Sequence, residues 1–106
     1  MEHIALTEAV YYVLLSLHSP LHGYGIMQKV ENMSNGRVNL AAGTLYGAIS
    51  NMLEKGWIIA VPGEKNSRKK EYIITTTGKL IVYNELIRLK ELVANGEYIL
   101  EDKEDA

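Results

Sequence analysis

The segment that decides the fold is Gly43-Thr44-Leu45-Tyr46-Gly47-Ala48-Ile49-Ser50-Asn51-Met52-Leu53-Glu54-Lys55-Gly56-Trp57. Its apolar residues recur at helical spacing and predict one buried stripe, made of Leu45, Ile49, Met52 and Leu53. The opposite side of this helix carries small or hydrogen-bonding residues, namely Thr44, Gly47, Ser50 and Asn51. A helix face that meets only solvent normally carries Glu, Lys or Arg. Short side chains instead permit close approach to the edge of another molecule, such as the bases in a DNA groove.

Length and composition restrict the class of protein. The chain has 106 residues, enough for one domain, and its hydrophobic and charged fractions of 47% and 23% are typical of globular proteins. It has no cysteine, which excludes disulfides, thiolate metal sites and cysteine nucleophiles. The longest apolar run, residues 9–17, is too short to span a bilayer. Acidic residues at positions 2 and 8 differ from the basic start of a signal peptide, so we expect a cytoplasmic location.

Charge is distributed unevenly along the chain. The formal net charge is −2, but the last ten residues carry −4 and the rest of the chain carries +2. This balance argues against a general polyanion binder. The bases concentrate in one stretch that holds Lys65, Arg68, Lys69 and Lys70. A basic cluster beside an acidic tail is compatible with nucleic-acid binding, although such a run taken alone is more often a solvated surface.

Periodicity and end signals predict the first half of the chain. The helical pattern predicts helices at about 7–18, 24–34 and 42–55. Thr7 is the expected N-cap of the first helix, and Pro20 ends it. Ser34-Asn35-Gly36 ends the second helix, because Gly36 is able to adopt the left-handed conformation. Val38 and Leu40 predict a very short strand between the second and third helices.

The pattern then changes from helical to alternating. It predicts strands at about 57–62 and 69–75, joined by a polar turn in a β-hairpin. A last helix follows over about 77–96, with Thr76 or Thr77 as its cap and Asn95-Gly96 as its end. Residues 97–106 are expected to form an acidic, flexible tail.

Three helices followed by a hairpin is the order of a winged helix-turn-helix, in which the third helix is the recognition helix and the hairpin is the wing. We therefore predict a mainly α fold with a β-hairpin, comprising a winged helix-turn-helix over residues 1–76 and a C-terminal dimerisation helix. The last helix carries more large apolar residues than one small core can bury, which predicts a homodimer. The expected dimer interface consists of Leu80, Tyr83, Leu86, Ile87, Leu89 and Val93.

Three motifs resemble those of the PadR-like family of bacterial transcriptional regulators. Leu21-His22-Gly23-Tyr24-Gly25 resembles the family's "HGYxI" at the start of the second helix. Gly43-Thr44-Leu45-Tyr46 is its "GTLY" signature, and the "LxxLxxxG" rhythm follows at Ile49, Met52, Leu53 and Gly56. The passage from Arg68-Lys69 through Tyr72 to Gly78 resembles the family's "RxxYxLTxxG". Together the motifs cover roughly residues 5–96 in the order and spacing of the family.

The sequence departs from the family pattern at the start of the third helix. Ala41 and Ala42 stand where the family often has Ser-Pro, so the helix lacks a side-chain cap. Gly47 follows "GTLY", where Pro is common. These differences affect the local helix start and leave the predicted fold intact.

Within this fold, the recognition helix contacts base edges and its neighbours contact phosphates. The expected DNA-binding residues are Tyr24, Thr44, Tyr46, Gly47, Ser50, Asn51, Lys65, Arg68, Lys69 and Lys70. Structural explanations compete at several positions. Tyr24 and Tyr46 could serve packing alone, Asn51 could be a solvated helix residue, and Gly47 is explained nearly as well by tight packing against the second helix as by close approach to DNA.

The resemblance implies an effector-responsive repressor that binds a palindromic operator as a homodimer. It also implies an effector site between the last and first helices of the dimer. Some family members hold flat aromatic compounds with aromatic residues of the last helix. Here Trp57 begins a wing strand and Tyr83 is more typical of interface packing, so the sequence supports no such site and leaves the effector unidentified.

Other functions are weaker candidates. His18 and His22 are four residues apart, but Pro20 breaks the helix that would align them. No metalloprotease, Walker or paired-carboxylate motif is present, so we predict no catalytic activity, cofactor or metal site. A winged-helix module that binds protein instead of DNA remains the main alternative. A MarR-type regulator would need further helices on both sides, for which the chain has no room.

Overall fold

A computed structural model of the protein describes residues 5–63 and 69–101. In those residues, helices α1 (Glu8–Ser16), α2 (Gly23–Met33) and α3 (Ala42–Glu54) precede the strands β1 (Ile58–Val61) and β2 (Glu71–Ile74). Helix α4 (Thr76–Glu101) follows the strands. This order confirms the prediction of a mainly helical winged helix-turn-helix with a C-terminal helix.

Local hydrogen bonds define the ends of α1 and α2. The Thr7 hydroxyl accepts from the Val10 N–H at 3.1 Å, as predicted for the N-cap of α1. The Nδ1 of His22 accepts from the Gly25 N–H at 3.3 Å and caps α2. α2 ends where predicted, since Gly36 has a left-handed φ of 80° and donates its N–H to the Glu31 carbonyl at 2.8 Å.

The core lies between the three short helices, the wing and the start of α4. α3 contributes Leu45, Ile49 and Met52, which are all buried. Leu53 was predicted to join them but is 37% exposed, because it lies at the edge of the stripe. The rest of the buried apolar core consists of Val13, Leu14, Leu17, Ile26, Val30, Trp57, Ile58, Tyr72, Ile74 and Val82.

The wing is an antiparallel pair in which Ile58 lies opposite Ile74 and Val61 lies opposite Glu71. A bridge that the sequence did not predict ties this pair to the segment before α2. The Tyr72 N–H donates to the Leu21 carbonyl at 2.9 Å, and the Leu21 N–H donates to the Tyr72 carbonyl at 3.2 Å. The base of the wing is therefore held beside the first turn of α2.

A close backbone contact determines which face of α4 is buried. A Cβ at Gly78 would overlap the Trp57 carbonyl and lie 2.7 Å from a carbon of Ile74, so only glycine fits. Thr75 caps the helix by accepting from the Gly78 N–H at 3.1 Å, one residue before the predicted cap. With Gly78 against the wing, the residues on the same face, Val82 and Glu85, are buried.

Three predictions of local structure were wrong. α4 continues through Asn95-Gly96 to Glu101, because one Gly in a helix costs only about 1 kcal/mol and good helix formers follow it. Residues 97–101 are thus helical and not part of a flexible tail, while residues 102–106 lie outside the described chain. Val38 and Leu40 form no strand; the Val38 N–H donates to the Ser34 hydroxyl at 2.9 Å instead.

None of the helices in the described ranges is long and apolar enough to cross a membrane.

Candidate nucleic-acid interface

The outer face of α3 is open and uncharged. Thr44, Ser50 and Asn51 are all exposed, as predicted. Glu54, in the last position, is the one charged residue of the helix. The face therefore presents hydroxyl and amide groups that donate and accept hydrogen bonds, without the charged side chains that would hold a partner at a distance.

Gly47 faces open space in the middle of this helix. A Cβ added there would meet no atom within 4 Å outside the local helix backbone. Packing against α2 therefore does not explain the glycine, and that alternative is wrong. Gly costs a helix interior about 1 kcal/mol relative to Ala, and close approach to DNA, the other explanation of Gly47, stays a prediction.

The start of α3 has no side-chain cap. Ala41 occupies the N-cap position with extended backbone and makes no side-chain hydrogen bond, as predicted. The first N–H groups of a helix lack intrahelical partners, and the helix dipole makes this end favourable for anions. The first turn of α3 is thus suited to a phosphate group of a nucleic acid.

A groove of about 430 Å³ joins α2, α3 and the wing. Its walls include Tyr24 and Tyr46, both expected to bind DNA, together with Lys69 and Lys70. No carboxylate lines it among the described residues. Two lysines and three tyrosines therefore line the groove, a composition suited to an anion. The remaining lining residues are His22, Gly23 and Tyr72.

Tyr46 has a contact that the sequence did not predict. A Cβ at Gly23 would overlap the Tyr46 hydroxyl and lie 2.8 Å from Cζ, so the phenol lies directly over Gly23. Tyr46 is still 48% exposed, so its contact with DNA stays a prediction beside its packing over Gly23. Tyr24 is 60% exposed, and its hydroxyl accepts from Gln28 Nε2 at 3.2 Å, so its contact with DNA also stays a prediction.

The predicted basic cluster is described only in part. Lys69 and Lys70 precede β2 and are exposed. Lys65 and Arg68 lie outside the described residues, so their expected contacts with DNA stay predictions. Trp57 is 7% exposed at the start of the wing, where Lys55 Nζ lies 4.8 Å from the centre of its ring.

The expected interface helix leaves a large apolar surface outside the chain's own core. Tyr83 is 59% exposed and Val93 57%, and Leu80, Leu86 and Ile87 are also exposed, while Leu89 is half-buried. Leu80, Tyr83 and Ile87 lie on the face of α4 opposite Val82 and Glu85. Beyond position 91 the exposed apolar residues continue with Leu92, Val93, Tyr98, Ile99 and Leu100.

A second cavity of about 390 Å³ lies between α1 and α4. Its floor holds Glu85, which is 2% exposed and which the sequence did not single out. Arg88 Nε and Nη2 donate to the two carboxylate oxygens at 2.7 and 2.8 Å, and the Leu6 N–H donates at 3.0 Å. The hydrogen bonds from Arg88 lower the pKa of Glu85 against the opposing effect of its burial.

Two tyrosines of α1 line the same cavity. The rings of Tyr11 and Tyr12 lie 6.2 Å apart between centroids and are tilted by 59°. Burial, followed by the nearby Glu85 carboxylate, raises the pKa of the Tyr11 hydroxyl. Among the described residues, Leu6, Glu8 and Leu89 complete the lining, and Tyr83 is not one of the lining residues. The available sequence signal for this cavity was the adjacent pair of tyrosines at positions 11 and 12, from which the sequence analysis predicted no site.

Comparison with known proteins agrees with the arrangement. The profile described as "Transcriptional regulator PadR-like family" matches residues 12–84. A PadR family transcription regulator from Clostridium difficile superposes with a TM-score of 0.71 at 20% identity, over 88% of this chain and 97% of that chain. Bacillus subtilis PadR in complex with operator DNA superposes with a TM-score of 0.62 at 20% identity, over 74% of this chain and 46% of that one. No curated protein matches the sequence.

Proposed function

Because the chain belongs to the PadR-like family of transcriptional regulators, we propose that it is a sequence-specific repressor that binds a palindromic DNA operator as a homodimer. The observation that carries this proposal is the open, uncharged face of α3 beside the groove that contains Lys69 and Lys70. Thr44, Ser50 and Asn51 contact base edges, and Asn51 is able to pair with adenine through two hydrogen bonds. Bacillus subtilis PadR, which shares the fold, is found in complex with operator DNA, and this supports DNA as the partner.

Phosphate contacts surround the base contacts. Lys69 and Lys70 attract the backbone electrostatically, and Tyr24 and Tyr46 donate hydroxyl hydrogens to it. Gly47 allows α3 to approach the DNA closely. In a bacterial cell such a protein works in the cytoplasm without catalysing a reaction.

The homodimer forms through α4. Its exposed apolar residues are too many and too contiguous for a solvated helix, which favours a partner of the same kind. Leu80, Tyr83 and Ile87 supply one stripe, and the segment after position 91 extends the contact beyond the winged-helix domain. Ile87→Asp tests this role, because a buried unpaired charge would shift the protein toward monomers in sedimentation velocity. An unchanged sedimentation coefficient would exclude Ile87 from the interface.

The effector site is the cavity between α1 and α4. It combines apolar walls with tyrosine hydroxyls and a carboxylate, which is the composition of sites for small organic molecules. α1 packs against α2 and α4, so a ligand there contacts both the dimerisation helix and a support of the helix-turn-helix. A compound that binds in this cavity is expected to change the affinity of the dimer for DNA if it binds the DNA-bound and the DNA-free conformations with different affinities.

Selection from a randomised DNA duplex pool, followed by a titration of the selected duplex at several salt concentrations, tests the function. We expect log Kobs to fall steeply and linearly with log salt, because phosphate binding releases counterions. The main alternative, a winged-helix module that binds protein, predicts no enrichment of any sequence and no salt-dependent affinity for DNA. Because a net charge of −2 does not favour binding to a polyanion, protein binding is the alternative that this titration has to exclude.

A further inference from the structure

His22 lies where α2, α3 and the wing meet, because it is both the N-cap residue of α2 and a lining residue of the groove. Its Nδ1 caps α2 by accepting from the Gly25 N–H at 3.3 Å. His22 is also a lining residue of the groove that contains Tyr46, Lys69 and Lys70.

The cap determines the chemistry of the other ring nitrogen. A neutral imidazole has one N–H and one acceptor nitrogen. Because Nδ1 accepts, the proton is on Nε2, which is therefore a donor. Nε2 makes no hydrogen bond to any of the described residues. The described walls of the groove supply lysines and hydroxyls but no carboxylate, so a phosphate oxygen is a fitting acceptor for this N–H.

Capping alone does not account for a histidine at this position. Ser, Thr, Asp and Asn are the preferred N-caps, and the same chain uses Thr7 at the start of α1. The His22 cap bond is also longer than the 3.1 Å bond of Thr7. A side chain needed only as a cap would be shorter and would bind the helix more closely.

We propose that His22 is a DNA-positioning residue: Nδ1 caps α2, and the Nε2 hydrogen is donated to a phosphate oxygen in the groove. This proposal rests on the proposed DNA-binding function and adds a contact that it does not require. Tyr46, held over Gly23, and the two lysines provide the other donors around the same phosphate. His22 thus links the position of α2 to the position of the bound DNA backbone.

Two substitutions separate the two nitrogens. The amide oxygen of Asn occupies the place of Nδ1, so His22→Asn retains the cap and removes the distal donor. The longer amide of Gln carries its NH2 near the place of Nε2, so His22→Gln retains the distal donor and weakens the cap. Both variants are compared with the wild type by thermal unfolding and by binding to a mixed-sequence DNA duplex of about three helical turns at low salt.

We expect His22→Asn to unfold at or above the wild-type temperature and to bind the duplex about tenfold more weakly per protomer, as for loss of one hydrogen bond to a charged group. His22→Gln is expected to unfold a few degrees lower and to keep most of the affinity. Wild-type affinity in His22→Asn would overturn the proposal, as would equal losses of affinity in both variants. If the wild type itself binds no duplex, the DNA-binding function fails, which is a separate outcome.

Discussion

Gly47→Ala is expected to stabilise the protein and to weaken its binding to DNA. Gly47 lies in the interior of α3, where alanine is favoured over glycine by about 1 kcal/mol. The added methyl group meets no atom within 4 Å outside the local helix backbone, so no steric cost offsets this gain. A change of this size should raise the unfolding temperature by about 2–8 °C, depending on whether the unfolding unit is the monomer or the dimer.

The same methyl group obstructs the DNA if α3 approaches it closely at this point. Inserting a methyl group into a well-packed contact costs about 1–3 kcal/mol, which corresponds to a roughly 5- to 150-fold increase in Kd. Thermal unfolding and an anisotropy titration with the selected duplex measure the two effects on one preparation. The opposite signs of the two effects distinguish a contact surface from a surface that only meets water.

Gly96→Ala is the matched control. Gly96 also lies inside a helix with no atom within 4 Å of an added Cβ, but it belongs to α4 and not to the DNA-facing elements. Because Gly96 lies in the segment proposed to extend the dimer contact, sedimentation velocity first verifies that the variant is a dimer; that dimer should gain stability without losing affinity. If Gly47→Ala gains stability and binds DNA as the wild type does, the close approach of α3 at this position is refuted. If Gly47→Ala loses stability, the added methyl group must clash with the protein itself, which contradicts the open space beside Gly47.

Three further predictions concern the wing, base recognition and the buried carboxylate. Changing Lys69 and Lys70 to Ala should weaken binding to all duplexes alike and reduce the salt slope by about 0.9 for each phosphate that the wing no longer neutralises; an unchanged slope would rule out a wing contact. Asn51→Ala should relax the preference at one base pair of each half-site by about 1–3 kcal/mol, and full discrimination on a panel of substituted operators would exclude it from base recognition. Arg88→Ala should lower the unfolding free energy, because it removes both hydrogen bonds from the guanidinium to the Glu85 carboxylate; an unfolding free energy equal to that of the wild type would contradict this role. The pKa of Glu85 is lowered in the folded state, so the ionised carboxylate stabilises the fold at pH values above the ordinary glutamate range, and this stabilisation is lost as the pH falls through the lowered pKa. Glu85→Gln should therefore make the unfolding free energy fall less steeply with decreasing pH. A pH dependence identical to that of the wild type would contradict this role.

The recognition helix was largely predictable because its determinants are local. The spacing of Leu45, Ile49 and Met52 fixes the buried stripe, and the small residues opposite it are exposed as a direct consequence. The uncapped start follows from Ala41 alone. Each of these features depends on residues within a few turns of one helix.

The features that the sequence did not predict depend on contacts between distant segments. The buried face of α4 is set by Gly78 against the Trp57 carbonyl, and this contact turns Glu85 inward although Leu86 and Ile87 are more hydrophobic. The position of Tyr46 depends on the missing side chain of Gly23 in another helix. Neither contact has a periodic signal in the sequence, so the groove and the α1–α4 cavity emerge only from the assembled fold.

Protection mapping on the selected duplex tests the central claim most directly. A dimer that places one α3 in each of two major grooves should protect two symmetric half-sites. Their centres should be about 34–36 Å apart, or a multiple of that helical repeat. A single protected half-site would contradict the dimeric arrangement through α4. The absence of any protection at low salt would contradict the assignment of α3 as a DNA-recognition helix.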